Sequence, residues 1–256
     1  MKTLVSRMKQ DWPALALLAV ILIVWEIIAQ AVNKTSVPAV LTVLASIELN
    51  LPEIVSQVAH TLRRAAIAIG LALVTALPMG ILIGRIRWLG ELFEPLIDIL
   101  RPLPPPTLAP LLMLFLGTGD AAKILLIYFT VSILIVLHAI DGVRGTHPML
   151  HTVSRMLRLN RAESLWLVDL PATLPVVITG LRLAVSAALL VSVTAEMLLS
   201  TNGIGVYLQR MQETFRVADG LAGICIIAVI GWAVNAALLQ LDHRLLHWHY
   251  ATTSAD

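Results

Sequence analysis

The sequence lacks the residue patterns that enzymes commonly use to bind nucleotides or metals. It contains no Gly-Lys pair, and therefore no phosphate-binding loop of the form G-x-x-x-x-G-K-[ST]. The zinc motif H-E-x-x-H, the redox motif C-x-x-C and the hydrolase motif G-x-S-x-G are also absent. We therefore expect a protein that is not an enzyme, with no catalytic residue, no bound cofactor and no metal site of its own.

Charge and cysteine are scarce as well. Charged residues make up 13% of the 256 residues and hydrophobic residues 58%, and the mean hydropathy is +0.88. These values are typical of a protein that lies in a lipid bilayer. The formal charge of +2 is too small to favour nucleic acid as a partner. The one cysteine, Cys225, lies in an apolar run and can form no internal disulfide.

Apolar stretches that cross a bilayer core of about 30 Å need about 20 residues each. The sequence has six, which predicts an all-α polytopic membrane protein with about six transmembrane helices. The predicted spans are Trp12 to Val32, Thr61 to Gly84, Leu92 to Gly117, Ala121 to Val143, Leu174 to Leu199 and Leu221 to His243. With both termini in the cytoplasm, ten of the eighteen Lys and Arg residues lie on the cytoplasmic side, as the positive-inside rule favours.

Two amphipathic segments lie outside these spans. Ser36 to Val58 has apolar residues at helical spacing and is predicted to lie along the outer membrane surface. His147 to Pro171 has apolar residues on one helical face and Arg155, Arg158 and Arg161 along another. This second segment could dock on lipid head groups or insert into a groove of a soluble partner, and its pattern does not distinguish the two.

Two carboxylates fall inside apolar runs, where ionisable groups are costly and are usually functional or paired. Glu196 in the fifth span could line a substrate path or gate, or form an ion pair with another span. Arg182 lies about four turns away on the same helix and is too far to be its partner. For Glu26 in the first span we favour a structural pairing. A proton-coupled secondary transporter that uses Glu26 and Glu196 is the alternative function.

The run RPLPPPTLAP, Arg101 to Pro110, places five prolines inside the third span. Proline interrupts a helix, and broken backbone at membrane depth requires protein or a water-filled cavity around it. A buried re-entrant turn and a pathway-lining segment both fit, and they can coexist. In the second case, the half-helix that begins near Thr107 would present amide donors suited to an anion.

Two long stretches resemble the permease subunits of binding-protein-dependent ABC importers of the nitrate, sulfonate and taurine class. One is LPATLPVVITGLRLAVSAALLVSVTAEMLLSTNGIG, Leu170 to Gly205, and the other runs from Thr61 to Ile124. Their shared motifs are the proline run, G-x-G-D, L-P-x-x-L-P, T-G-L-R and A-E-M. The resemblance implies a type I importer permease in a bacterial inner membrane. It divides the chain into residues 1–60 with the first span and the surface helix, a permease core at 61–246, and a cytoplasmic tail at 247–256.

The resemblance also implies partners. These are a dimer of a cytoplasmic ATPase that holds the ATP and Mg²⁺, a second permease copy that makes a homodimer, an extracytoplasmic solute-binding protein, and the surrounding lipid. The solute would be a small anion such as a sulfonate, taurine or nitrate.

By the same resemblance, a coupling helix between His151 and Asp169 contacts the ATPase. The implied contact residues are Val153, Ser154, Arg155, Leu157, Arg158, Asn160, Arg161 and Ala162. For the translocation pathway we single out Pro102, Leu103, Pro104, Pro105, Thr107, Met113 and Glu196.

The coupling loop departs from the family pattern. Thr152, Val153 and Ser154 replace the usual Glu-Ala-Ala, and Arg158 replaces a glycine. Glycine would end the first short helix there because it alone adopts a left-handed conformation without strain. Asn160 is the next best residue for such a turn, which raises the alternative that the helix break has moved to it.

Overall fold

The computed structural model describes residues 2–32, 37–199 and 201–246, and the regular elements within these ranges are all helical. They comprise ten α-helices, a 3-10 turn at Pro105–Leu108 and a π-helical turn at Leu165–Asp169. The helices are α1 (Lys2–Val32), α2 (Val40–Arg85), α3 (Arg87–Leu100), α4 (Ala109–Leu116), α5 (Asp120–Arg144), α6 (Pro148–Met156), α7 (Arg161–Ser164), α8 (Leu170–Leu199), α9 (Ile204–Glu213) and α10 (Val217–Leu245).

Four stretches are long and apolar enough to cross a membrane, and they contain α2, α5, α8 and most of α10. A fifth is added if α3 and the segment Pro105–Leu116, which meet at an angle of 89°, are counted as one broken span. A shorter apolar helix covers Ala16–Val32. These elements coincide in position with the six predicted spans, and the prediction of an all-α polytopic fold is confirmed.

Small residues bring α2, α5 and α8 close together at the centre of the bundle. Their buried alanines include Ala65, Ala68, Ala72, Ala76, Ala122, Ala184, Ala188 and Ala195. A Cβ atom added at Gly80 of α2 would lie 2.7 Å from the Ala139 Cβ of α5. Lipid tails are as apolar as the side chains, so close van der Waals packing of this kind provides much of the attraction between membrane helices.

The structure joins the predicted surface helix to the second span. Helix α2 runs without a break for 46 residues, which corresponds to about 69 Å at 1.5 Å per residue. The boundary drawn at residue 60 falls inside it, because Ala59, His60 and Thr61 include no glycine or proline that would end a helix. Val43, Ile54 and Val58 from the first half of α2 pack in one buried cluster with residues of α9 and α10.

The predicted coupling segment forms α6, a left-handed turn and α7. The turn is at Arg158, with φ of 54°, so the alternative that the break moves to Asn160 is wrong. The Arg158 and Leu159 amides donate to the Arg155 and Ser154 carbonyl oxygens, at 3.1 Å each. These two bonds cap the carboxyl end of α6, which is the pattern usually built on glycine.

Asn160 instead starts α7. Its Oδ1 accepts from the Ala162 and Glu163 amides at 3.0 and 2.9 Å, and the Glu163 carboxylate accepts from the Asn160 amide at 2.7 Å. This reciprocal arrangement is a capping box, with asparagine in the place of serine or threonine. The two short helices are therefore held at a fixed junction despite the missing glycine.

Arg158→Gly should stabilise this junction. A non-glycine residue in the left-handed region costs about 1–2 kcal/mol, so we expect local opening to fall about 5- to 30-fold. Hydrogen exchange of the 155–163 amides, measured by mass spectrometry in detergent, provides the readout. The opposing variant Asn160→Ala, which loses the cap, should speed the same exchange to a similar degree. Unchanged exchange in Arg158→Gly would show that the left-handed residue does not limit the stability of the junction.

Candidate functional site

An ion pair sealed from solvent joins Arg64 of α2 to Glu196 of α8. The Arg64 Nη1 and Glu196 Oε1 atoms are 2.6 Å apart, and neither side chain has any exposed surface. Arg64 also donates through Nε and Nη2 to Asp120 Oδ1, at 2.9 and 2.8 Å, and to both oxygens of Asn202. One guanidinium therefore ties together α2, the start of α5, the end of α8 and the loop that follows α8.

The remaining polar atoms around this pair are also satisfied. Glu196 Oε2 accepts from the Thr61 hydroxyl at 2.8 Å and from the Gly205 amide at 3.1 Å. The Lys123 Nζ, which is almost fully buried, lies 3.4 Å from Asp120 Oδ1. We call Thr61, Arg64, Asp120, Lys123, Glu196 and Asn202 the Arg64 network. Arg63 also pairs with the exposed side of Asp120, so each buried charge of the network has an opposite charge beside it. This is the condition under which buried charges are tolerated.

Two glycines allow the loop after α8 to close over Glu196. Gly203 has φ of 115°, and a Cβ atom added there would lie 2.2 Å from the Glu196 Cδ. A Cβ atom at Gly205 would lie 2.2 Å from the Val193 carbonyl oxygen. The Gly203 amide donates to Gln57 Oε1 of α2 at 2.6 Å. The N-G-I-G motif therefore provides the close approach that seals the ion pair.

The Arg64 network unites motifs that are far apart in the sequence. Thr61 and Arg64 come from T-L-R-R, Asp120 from G-x-G-D, Glu196 from A-E-M, and Asn202 from the loop before Ile204. The open question about Glu196 is answered by its pairing with another span. Sequence reasoning missed Arg64, although two adjacent arginines at the edge of an apolar span were a signal that one of them faces inward.

A second polar cluster lies at the opposite ends of α2 and α8. Asp169, which is 2% exposed, has its Oδ2 atom 3.0 Å from Arg85 Nη1 at the end of α2. Its Oδ1 atom lies 3.6 Å from the Nδ1 atom of His151 in α6. Asp169 therefore contacts the amphipathic helix and the end of α2 while it precedes the first residue of α8. None of these three residues was among the predicted contact residues.

Helix α6 presents an apolar surface away from the bundle. Among the predicted contact residues, Val153 and Leu157 are exposed by 44% and 66%, and Arg155, Arg158, Asn160 and Ala162 are also exposed. Ser154 is buried and faces the rest of the chain. The Arg161 side chain lies outside the described residues. Met149 and Met156, exposed by 67% and 76%, belong to the same surface and were missed.

The proline run forms an irregular turn between α3 and α4. Pro102, Leu103, Pro104, Thr107 and Met113 are exposed in the single chain, and Pro105 is half-buried. Ala109 is fully buried, while Leu108 and Leu112 pack against the central cluster. Of the predicted pathway residues, Glu196 differs from the rest because it has no exposed surface.

Two of the amide donors expected near Thr107 have acceptors within this turn. The Thr107 amide donates to the Pro104 carbonyl oxygen at 3.0 Å, and the Ala109 amide donates to Pro106. Pro105, Pro106 and Pro110 have no amide hydrogen to offer. The Thr107 and Ala109 amides are therefore engaged within the turn, and anion binding at this helix start stays a prediction.

Glu26 forms a structural pairing rather than a chain of titrating groups. Its Oε2 atom accepts from the Val40 amide at 2.8 Å, at the start of α2, and Oε1 accepts from Gln30 at 3.0 Å. A carboxylate is favourable at the amino end of a helix, where amides lack partners. Since Glu196 is bound to Arg64, both carboxylates have local partners, and the proton-coupled alternative is not favoured.

The helical architecture is that of an ABC importer permease. A crystal structure described as an amino acid ABC transporter with histidines aligns with a TM-score of 0.61, over 77% of this chain and 94% of that chain, at 17% identity. Residues 76–247 match the family described as binding-protein-dependent transport system inner membrane component. The chain belongs to this family.

Curated relatives narrow the class. The chain is 30% identical to the taurine transport system permease protein TauC of Escherichia coli (strain K12), over 95% of this chain and 94% of the relative. It is 30% identical to the putative aliphatic sulfonates transport permease protein SsuC of Bacillus subtilis (strain 168), over 95% and 90%. It is 26% identical to the nitrate import permease protein NrtB of Synechocystis, over 90% and 87%. The resemblance to the nitrate, sulfonate and taurine class of multi-pass inner-membrane permeases is confirmed.

Removing one partner of the Arg64–Glu196 pair should destabilise the protein strongly. An uncompensated buried charge costs about 3–5 kcal/mol, so we expect Arg64→Met and Glu196→Met each to lower the unfolding temperature in detergent markedly. The double variant should lose less than the sum of the two single losses, because it leaves neither group of the pair alone.

Glu91→Gln supplies the control for this cycle. It breaks the Arg87–Glu91 pair, whose side chains are 93% and 67% exposed, and should leave the unfolding temperature unchanged. Additive losses in the Arg64–Glu196 cycle would show that the two side chains do not stabilise each other.

Proposed function

We propose that this chain forms the translocation pathway of an ATP-driven importer for a small organic anion. A separate cytoplasmic ATPase dimer binds and hydrolyses ATP with Mg²⁺, and an extracytoplasmic protein delivers the solute. Two copies of the chain form the membrane unit around a two-fold axis, since this is the commonest symmetry of assemblies of identical chains. Sulfonates and taurine are the first candidate solutes and nitrate the next, because the similar permeases of taurine and aliphatic sulfonates share more identity with this chain than that of nitrate does.

The observation that carries this proposal is the Asp169 contact. Helix α6 has exposed apolar residues on one side and touches Asp169 through His151 on the other. Asp169 in turn pairs with Arg85 and directly precedes α8. A movement of α6 would therefore pull on α2 and α8 together, which is what a coupling helix must do.

The distribution of charge supports an orientation with α6 in the cytoplasm. Arg85, Arg144, Arg155 and Arg158 lie at the Asp169 end of the bundle or in α6 and the turn after it. The positive-inside rule places this end in the cytoplasm and the Arg64 network on the outer side. Both termini are then cytoplasmic, since α1 ends beside the start of α2 at the outer end.

The ATPase contact can be tested on the apolar surface of α6. Val153→Glu with Leu157→Glu should abolish co-purification of the ATPase, because two carboxylates would have to be desolvated in the groove that receives α6. Gln212→Glu on α9, an exposed position at the opposite end of the bundle, serves as the control and should co-purify normally. The chain purified alone should not hydrolyse ATP. Robust hydrolysis by the isolated chain, or normal co-purification of the double variant, would contradict the proposal.

Asp169 should be required for coupling more than for assembly. In Asp169→Asn the ion pair with Arg85 is lost, while the size of the side chain is kept. We expect solute uptake into proteoliposomes to fall about tenfold per ATP hydrolysed, since charged hydrogen-bonded contacts are worth roughly 1.5–3 kcal/mol.

The matched control is Glu94→Gln, which breaks the more exposed Arg144–Glu94 pair at the same end of the bundle. It should keep nearly the wild-type ratio of uptake to hydrolysis. An unchanged ratio in Asp169→Asn would show that force passes from α6 by another route.

A further inference from the structure

One charged side chain lies in the middle of the four long membrane helices. Between Arg64 and Arg85 on α2, Lys123 and Asp141 on α5, and Asp219 and Asp242 on α10, the sequence has no Asp, Glu, Lys or Arg. On α8 the corresponding interval, from Asp169 to Glu196, contains Arg182 alone. Such residues within a membrane usually have a functional reason, because an unpaired charge is costly there.

Arg182 lies midway between the two polar clusters. It is 13 residues from Asp169 and 14 from Glu196 along α8. At 1.5 Å per residue these intervals correspond to about 20 and 21 Å. The guanidinium group is therefore carried near the centre of the apolar layer, beyond the reach of the partners at either end.

The structure gives Arg182 no counter-charge. Within the described ranges, no Asp or Glu oxygen lies within 4.0 Å of its guanidinium, in contrast to Arg64 and Arg85. Its Nε atom is buried without a hydrogen-bond partner. A desolvated donor of this kind is unfavourable by itself and becomes favourable when an acceptor reaches it.

The faces of α8 place Arg182 beside a polar exposed strip. Gly180 packs against the His138 ring of α5, where a Cβ atom would lie 2.4 Å from the ring. At about 100° per residue, Arg182 projects roughly 200° away from this contact. Thr179 and Ser186, which follow the exposed face of α8, flank Arg182 one turn away on either side.

These neighbouring hydroxyls cannot replace the arginine as donors. The Thr179 and Ser186 hydroxyls donate to the carbonyl oxygens of Pro175 and Arg182 in the same helix, at 3.0 and 3.1 Å. Their lone pairs can still accept from water. The side-chain donor with unused capacity in this strip is therefore the guanidinium.

We propose that Arg182 binds the anionic group of the solute at the membrane midplane, in the pathway that the exposed face of α8 helps to form. The inference rests on the proposed function, and it assigns sulfonate-like and other planar or tetrahedral oxyanions as the solute class. A guanidinium offers two parallel donors to such oxyanions. It replaces the free helix amides that the proline run does not supply.

The test uses Arg182→Cys in a Cys225→Ala background, assembled with the ATPase and the binding protein in proteoliposomes. Uptake of radiolabelled taurine, methanesulfonate and nitrate by the wild-type complex is measured first. For the anion that is transported, Arg182→Cys should reduce uptake about 100-fold, as expected for losing a charged donor pair. Aminoethyl methanethiosulfonate, which attaches an ammonium group to the cysteine, should restore at least a tenth of the uptake. The neutral methyl reagent and the anionic sulfonatoethyl reagent should restore none.

Saturating transported anion should slow the reaction of the Arg182→Cys variant with the aminoethyl reagent, since both compete for the same position. The control is Arg87→Cys in the same background, an exposed position outside the pathway, which should transport normally before and after each reagent. The conservative variant Arg182→Lys should keep more uptake than Arg182→Gln.

Each outcome bears on a separate statement. Absence of uptake of all three anions by an assembled wild-type complex would overturn the proposed solute class. Wild-type uptake together with normal uptake in Arg182→Gln, or rescue by the neutral reagent as well as by the aminoethyl reagent, would overturn the role of Arg182 alone. Failure of both Arg182→Gln and Arg182→Lys to assemble would assign Arg182 to the architecture and would also overturn it.

Discussion

The Arg64–Glu196 ion pair is the constraint on which the outer half of the bundle depends. Two side chains without exposed surface hold opposite charges 2.6 Å apart, and the Asn202 and Gly203 loop closes over them. Desolvating a charge costs several kcal/mol, so the pair is tolerated only because each donor and acceptor around it is used. A helix arrangement in which α2 and α8 move apart leaves a buried charge unpaired, and one in which α5 moves away removes Asp120 from Arg64. The network thus favours one arrangement of three helices whose alanine-rich contacts would otherwise permit sliding.

Helix α8 is held at both ends against the second half of α2 by the same chemistry. Both arginines, Arg64 and Arg85, belong to α2, and both carboxylates, Asp169 and Glu196, lie at the two ends of α8. Between the ties, the contacts are alanine, glycine and branched apolar residues, which fix distance but resist sliding weakly. The contacts at both ends therefore fix the register of this part of α2 against α8.

Much of this architecture could be predicted from the sequence, and the rest could not for identifiable reasons. Apolar runs of the right length locate the spans, since hydropathy depends only on local composition. The partner of Glu196 could not be predicted from local composition, because Arg64 is 132 residues away and the pairing depends on tertiary packing. The unbroken α2 was not predicted. Its amphipathic first part was assigned to the membrane surface and its apolar second part to the bilayer core, although no residue between the two parts ends the helix. Arg158 was expected to avoid a left-handed conformation, yet the Asn160 capping box fixes the residues beyond it and imposes that conformation.

The proline run and Arg182 differ in what each can offer to an anion. A proline break exposes carbonyl oxygens and removes amides, and here the 3-10 turn consumes the amides that remain. Such a turn has few amide donors for an anion, because prolines have none and the Thr107 and Ala109 amides are bonded within it. A pathway for an anion through this bundle therefore needs a donor from another element, and in the described interiors of the four long helices the charged donor is on α8. In the pathway that we propose, this charge is carried by an unbroken helix whose two ends are held by ion pairs with α2.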